Sequence, residues 1–96
     1  MGLFDIFKGK KQIATEESRR EFLMLNGRIT DGKITDSETT AEGKELVYYI
    51  YSIQGVDFES LEILTEEQMQ TPLQYAPGAK VGIRFDPKNH GNSMLV

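Results

Sequence analysis

Apolar and polar residues alternate most regularly between Glu45 and Ile53. On an extended chain Val47, Tyr49, Tyr51 and Ile53 fall on one side and Leu46, Tyr48 and Ile50 on the other. β-Branched and aromatic side chains dominate this run, so it predicts a strand. Apolar residues on both sides make it a central strand, covered by a barrel interior on one face and by a helix or a partner on the other. Gln54-Gly55 supplies a turn, and Val56-Asp57-Phe58-Glu59-Ser60 returns with Val56 and Phe58 in register. After Ser60 the apolar positions slip to Leu61 and Ile63, which predicts a bulge. Pro77-Gly78 opens a further strand with Val81, Ile83 and Phe85 at alternate positions, and Asp86-Pro87 stops it. Asn92 to Val96 forms a last short strand.

The first half of the chain is patterned differently. Thr15 to Glu21 reads as a helix start: Thr15 or Ser18 can cap, Ser18 and Glu21 have capping-box spacing, and Glu16 and Glu17 suit the helix dipole. Phe22-Leu23-Met24-Leu25 is then its buried end, and Asn26-Gly27 is expected to stop it in a left-handed conformation. Ile29 and Ile34 are five residues apart, so in one continuous strand they face opposite sides. Asp31-Gly32 between them offers a two-residue hairpin, which local pattern favours, or a bulge in one long strand. Ser37 to Lys44 reads as a solvated loop. Thr65 to Met69 has the composition of a short capped helical turn that Thr71-Pro72 ends.

Ninety-six residues make one domain with a single modest core. Residues 1–14 form a flexible or amphipathic basic leader, and residues 15–96 a single small β domain with an N-terminal helix. The absence of cysteine excludes disulfides, thiolate chemistry and cysteine-ligated zinc. No apolar run approaches the roughly 20 residues that span a bilayer. The net charge of −4 divides into +2 over residues 1–20 and −6 over the remainder. An acidic body argues against a nucleic-acid module, whose affinity rests on a basic face. The leader is the exception. Leu3, Phe4, Ile6 and Phe7 share a broad helical face beside Lys8, Lys10 and Lys11, a pattern suited to weak contact with an anionic membrane. The chain is accordingly expected in the cytoplasm, with the leader as its peripheral contact to the inner face of the membrane.

Candidate chemistry is sparse. His90, the only histidine, stands among turn formers with no partner to orient an imidazole, and reads as a surface loop residue. Asp36, Glu38 and Glu42 lack the alternating ligands of a calcium loop. Asp57 and Glu59 share a strand face, and without pocket-forming loops they serve to keep that strand exposed. No catalytic residue, cofactor or metal ligand is assigned. Tyr49 and Tyr51 suit core packing, whereas Tyr48 and Ile50, on the opposite face, are the candidates for contact with a partner.

Taken in order, Gly32-Lys33-Ile34, then Val47-x-Tyr49-x-Tyr51-x-Ile53-x-Gly55-x-x-Phe58-x-Ser60, then Pro77-Gly78-x-x-Val81-x-Ile83-x-Phe85-Asp86-Pro87-x-Asn89-x-x-x-Ser93-x-Leu95, resemble the bacterial domain of unknown function 3592 family over about residues 28–96. The resemblance implies a small, strongly bent antiparallel β-barrel or sandwich of about five strands with an N-terminal α-helix packed on it. It also implies that the first strand runs on through Asp31-Gly32, which overrides the local hairpin signal. Many members are flanked by transmembrane helices and lie outside the cytoplasm, whereas this chain has the amphipathic leader and the helix from Thr15 to Leu25. The family supplies no activity and hence no catalytic residue. The expected function is a non-enzymatic protein-interaction or binding module, acting on an unidentified protein partner or by self-association. A membrane-peripheral module and a small-molecule-binding domain or unrecognised enzyme are the alternatives.

Overall fold

The computed structural model describes residues 15–96. Helix α1 (Glu16–Asn26) leads into strands β1 (Arg28–Thr39), β2 (Glu45–Ile53) and β3 (Val56–Ile63). A single turn of helix, α2 (Glu66–Met69), and a 3-10 turn (Pro72–Tyr75) connect these to β4 (Lys80–Asp86) and β5 (Asn89–Leu95). The five strands are antiparallel in the order β3-β2-β1-β4-β5, and the sheet curls until β3 and β5 approach each other as a nearly closed barrel.

Strand β1 is the long element that makes the curl possible. It pairs with β4 through its first half and with β2 through its second, and Gly32 belongs to both ladders, opposite Tyr51 and Val81. The chain therefore runs straight through Asp31-Gly32 without a hairpin, and Ile29 and Ile34 face opposite sides, exposed and buried respectively. The bulge lies further on, at Thr35, where the register jumps from Ile34 opposite Tyr49 to Asp36 opposite Tyr48. One extra residue reverses which side faces inward, so Ile34 and Ser37 both point into the barrel. Ile34 exchanges backbone bonds with Gly78 and Ala79 at the bulge. There Pro77-Gly78 forms the turn that launches β4, with Gly78 at φ 92° and Ala79 N–H donating to the Ala76 carbonyl at 2.9 Å.

The inward residues Ile34, Val47, Tyr49, Tyr51, Leu64, Ile83, Phe85 and Leu95 form one core. Helix α1 starts at Thr15, whose hydroxyl accepts the Ser18 amide at 3.0 Å, and packs against β4 and β5. Of the expected buried run Phe22 to Leu25 it buries Leu23 alone; Phe22, Met24 and Leu25 remain exposed. A lone helix lying on a narrow barrel offers only one line of residues to its support. Gly27 ends the helix with extended backbone, φ −76°, and not in the expected left-handed region. A glycine is needed there for space, since a Cβ would stand 2.5 Å from the Leu23 carbonyl oxygen.

Three further expectations change. Strand β1 continues to Thr39, so Asp36 and Glu38 are strand residues and the turn is confined to Thr40–Lys44. Strand β3 carries no bulge: its register with β2 is unbroken from Val56 to Ile63, and Leu61 and Ile63 simply face outward. Strand β5 begins at Asn89, because the Asp86 carboxylate accepts the Lys88 amide at 2.9 Å and folds the Pro87 turn tightly enough for Asp86 to pair with Asn89.

Candidate interaction face

Strand β2 is central and its two faces differ. Val47, Tyr49 and Tyr51 are buried in the core, while Leu46, Tyr48 and Ile50 are half-buried on the outside of the barrel. Among the described residues helix α1 packs mainly on β4 and β5 and not on this outer side of the sheet. Across the β2–β3 ladder Leu46 stands opposite Ile63 and Tyr48 opposite Leu61. Leu61 is 53% exposed and Ile63 49% exposed. The row that holds Tyr48 and Ile50 is thus continued by two further apolar side chains on the edge strand. Cross-strand partners share a face, so Leu46, Tyr48, Ile50, Leu61 and Ile63 form one apolar strip.

Carboxylates border the strip. Asp36 and Glu38 of β1 lie opposite Tyr48 and Leu46, and Glu59 and Asp57 of β3 lie opposite Ile50 and Ser52; Lys33 opposite Ile50, with Lys80 beside it, and Arg19 and Arg20 at the cleft of Leu61 and Ile63 are the countercharges. The Tyr48 hydroxyl donates to Glu38 Oε2 at 3.2 Å. That bond, and the charge of Glu38 beside it, hold the Tyr48 phenol above the usual tyrosine range. Asp57 accepts a hydrogen bond from the Ser52 hydroxyl. Asp57 and Glu59 are exposed on the outside of an edge strand.

A second group of polar residues holds the barrel shut, and little in the residue pattern signals it. No ladder joins β3 to β5 among the described residues. In its place Glu62, 5% exposed, points inward from β3: Oε1 accepts the Leu95 amide at 3.1 Å and Oε2 accepts Arg20 Nη1 at 3.0 Å. Arg19 Nη1 donates to the Ser93 carbonyl at 2.7 Å and to Asn92 Oδ1 at 3.0 Å. The hydroxyls of Tyr49 and Ser93 are 2.8 Å apart, and the Tyr51 hydroxyl donates to the His90 carbonyl. Loss of hydration raises both phenols, Tyr49 and Tyr51. The only cue in the chain was the apolar slip after Ser60, which marks an inward carboxylate and not a bulge.

His90 is a strand residue rather than a loop one. Its ring stands edge-on to Phe85 and Phe58, with centroids 5.5 and 6.1 Å away, and Nε2 lies 3.1 Å from the Pro87 carbonyl oxygen. The imidazole is packed as an end plug. At the opposite mouth Leu64, Met69, Pro72, Leu73 and Tyr75 line a mainly apolar surface cavity of about 360 Å³, to which Ser37 and Glu45 add polar edges. The described residues hold no group of three or more side chains able to ligate a metal, and no helix long and apolar enough to cross a membrane. The candidate membrane contacts Leu3, Phe4, Ile6, Phe7, Lys8, Lys10 and Lys11 lie outside the described residues.

The model of the family described as domain of unknown function 3592 matches residues 26–96. No curated protein and no solved structure matches the chain. The matched residues include all five strands, the Thr35 bulge and the acidic-bordered strip, and leave out nearly all of α1. On that match the chain belongs to the domain of unknown function 3592 family.

Proposed function

We propose that this domain is a non-enzymatic interaction module whose docking surface is the outside of β1, β2 and β3. It takes an apolar protein segment that carries lysine or arginine. The observation that carries this reading is the strip Leu46, Tyr48, Ile50, Leu61 and Ile63, contiguous on one sheet face and bordered by Asp36, Glu38, Asp57 and Glu59. An apolar centre supplies contact area, and four carboxylates against the two ammoniums Lys33 and Lys80, with Arg19 and Arg20 beside Leu61 and Ile63 already paired to Glu16 and Glu62, favour a basic occupant and speed its arrival. Tyr48 suits the centre of such a contact, because its ring is apolar and its hydroxyl is already held by Glu38.

The test uses the full chain as bait in its native host, paired with the variants Leu61→Asp and Glu59→Lys. Both positions are exposed, so neither substitution enters the core. A segment captured by the wild type is mapped, synthesised as a peptide and titrated against all three proteins. The reading expects a basic apolar peptide that binds more weakly as salt rises and loses about tenfold or more to either substitution. Peptide binding indifferent to both substitutions and to salt would overturn it.

A further inference from the structure

Strand β1 outruns its partner β4. The β1–β4 ladder ends with Lys33 opposite Lys80, Ile34 then bonds to Gly78 and Ala79, and Pro77, next in line, has no amide with which to carry the pairing on. Among the described residues no strand pairs with Asp36 to Thr39 on the side away from β2. The Glu45 carbonyl accepts the Leu64 amide at 2.9 Å, on the β3 side. Directly opposite residues of an antiparallel pair exchange both bonds or neither. Thr39, opposite Glu45, and Ser37, opposite Val47, therefore turn N–H and C=O toward the unpaired edge. Asp36 Oδ1 accepts the Ser37 amide at 2.8 Å, which leaves the Thr39 amide as the open donor.

We propose that this edge of β1 is a site of strand addition. It takes an extended segment of another protein in which apolar side chains alternate with lysine or arginine. The site goes beyond the strip on β2 and β3 and shares with it only the border residues Asp36 and Glu38. Cross-strand partners share a face, and Ser37 lines the apolar cavity with Leu64, Met69, Leu73 and Tyr75. Residues added opposite Ser37 and Thr39 thus aim at that cavity. Leu73 at its rim is 85% exposed, more than any other large apolar side chain among the described residues. The added residue between those two stands opposite Glu38 and beside Asp36, both exposed on the outer side of β1.

Charge selects the occupant. The edge carries Asp36 and Glu38 outside and Glu45 at the cavity, and none of the described residues lining that cavity is cationic. Lys33 and Lys80 come before the bulge, where β4 already pairs with β1, and Glu42 and Lys44 of the turn beyond Thr39 cancel in charge. A second copy of the same edge sets carboxylate against carboxylate, which is destabilising across a strand pair. An arriving lysine or arginine instead draws Asp36 away from the Ser37 amide and opens that amide to the added strand. Main-chain bonds then supply affinity, and the cavity and the carboxylates supply choice. The edge is thereby closed to its own kind and open to a basic strand.

The test selects peptides from a displayed library of random short segments on the full chain and titrates them into the isotope-labelled full chain. Strand addition expects peptides that alternate apolar and basic residues and move the amides of Ser37, Thr39 and Leu73. It expects a loss of about tenfold or more in affinity when the peptide amides are methylated, and likewise against Thr39→Pro and Leu73→Asp. Thr39→Pro removes an amide that β2 does not use, and Leu73→Asp changes an exposed side chain, so either variant carries the test if the other misfolds. A library that yields no peptide moving Thr39 would overturn the proposal. So would peptides without alternation, or peptides indifferent to methylation and to both variants. Peptides that move Leu61 and Ile63 but spare Thr39 defeat strand addition and leave the reading of the outer strip in place. Binding at Thr39 that survives Leu61→Asp and Glu59→Lys upholds strand addition whatever becomes of that strip.

Discussion

Glu62 in β3 accepts the backbone amide of Leu95 in β5 at 3.1 Å, across the seam where the sheet's two end strands meet without a ladder. A strand edge turned inward would leave buried amides without acceptors, and each costs about 1–3 kcal/mol when unsatisfied. One carboxylate meets this need and also anchors α1 through Arg20. Glu62→Ala removes both contacts and leaves the buried Leu95 amide without an acceptor, and is expected to lower stability by about 2–3 kcal/mol. Glu62→Gln keeps an acceptor for Leu95, and the partly exposed Arg20 can turn to water, so its cost is about 1–2 kcal/mol. Urea unfolding of the three full chains measures the order, and equal midpoints for all three would refute the bridging role.

Gly32 sits where β1 belongs to two ladders at once. A Cβ at this position would meet the Ile50 carbonyl oxygen and Ile83 Cγ1, both at 2.7 Å. The backbone oxygen cannot retreat without breaking the β1–β2 pairing, so Gly32→Ala is expected to cost about 1–3 kcal/mol, in the range of core overpacking. Thermal unfolding checks it, with Gly91→Ala as the comparison: a Cβ there meets nothing nearer than 3.9 Å, and the melting temperature should hardly change.

The β2–β3 hairpin turns through Gln54 at φ 53° and Gly55 at φ 83°, the pair of positive angles that a two-residue turn of the primed type requires. Glutamine tolerates that region less well than asparagine. Gln54→Asn is expected to raise stability by a few tenths to about 1 kcal/mol, and Gly55→Ala to lower it by about 1–2 kcal/mol. Opposite shifts in the urea midpoint would confirm the turn type.

The tyrosines predict the alkaline behaviour. Burial raises the phenols of Tyr49 and Tyr51 in the folded state, so below the ordinary value of about 10 both states hold their protons and stability is flat. As pH rises past that value the unfolded chain ionises first, and stability is lost until the folded phenols titrate. Tyr49→Phe should flatten this decline, at a neutral-pH cost of about 1 kcal/mol for the lost contact with Ser93. Tyr48 is raised by its bond to Glu38, so Glu38→Gln should return its titration toward the ordinary value while Tyr49 and Tyr51 stay raised. Ring-carbon shifts followed against pH separate the three residues.

The fold was legible where a single strand's own pattern decides it. Strands β2 and β4 follow from Val47-Tyr49-Tyr51 and Val81-Ile83-Phe85, because alternation at period two leaves no other regular structure. The turn chemistry at Gln54-Gly55 and Pro77-Gly78 was equally local. What failed depended on pairing between distant segments. The Thr35 bulge exists because Ile34 bonds to Gly78 and Ala79, more than forty residues away, and nothing at Thr35 itself announces it. Glu62 turns inward because β5 closes on β3, and a carboxylate at an inward position looks from the sequence like a slipped register. The same pattern conceals half of the candidate face: Tyr48 and Ile50 show in the two-sided strand, whereas Leu61 and Ile63 look like a bulge.

The claim that the outside of β1, β2 and β3 is a docking surface is tested most directly by photo-cross-linking from the face itself. A photoreactive phenylalanine replaces Leu61 in the full chain, expressed in the native host, with the same replacement at Leu25 on the exposed helix face as the control. The account predicts adducts from position 61 whose attached segment is apolar and rich in lysine or arginine, and markedly fewer adducts from position 25. Adducts from position 25 alone, or adducts from position 61 on acidic segments, would contradict it.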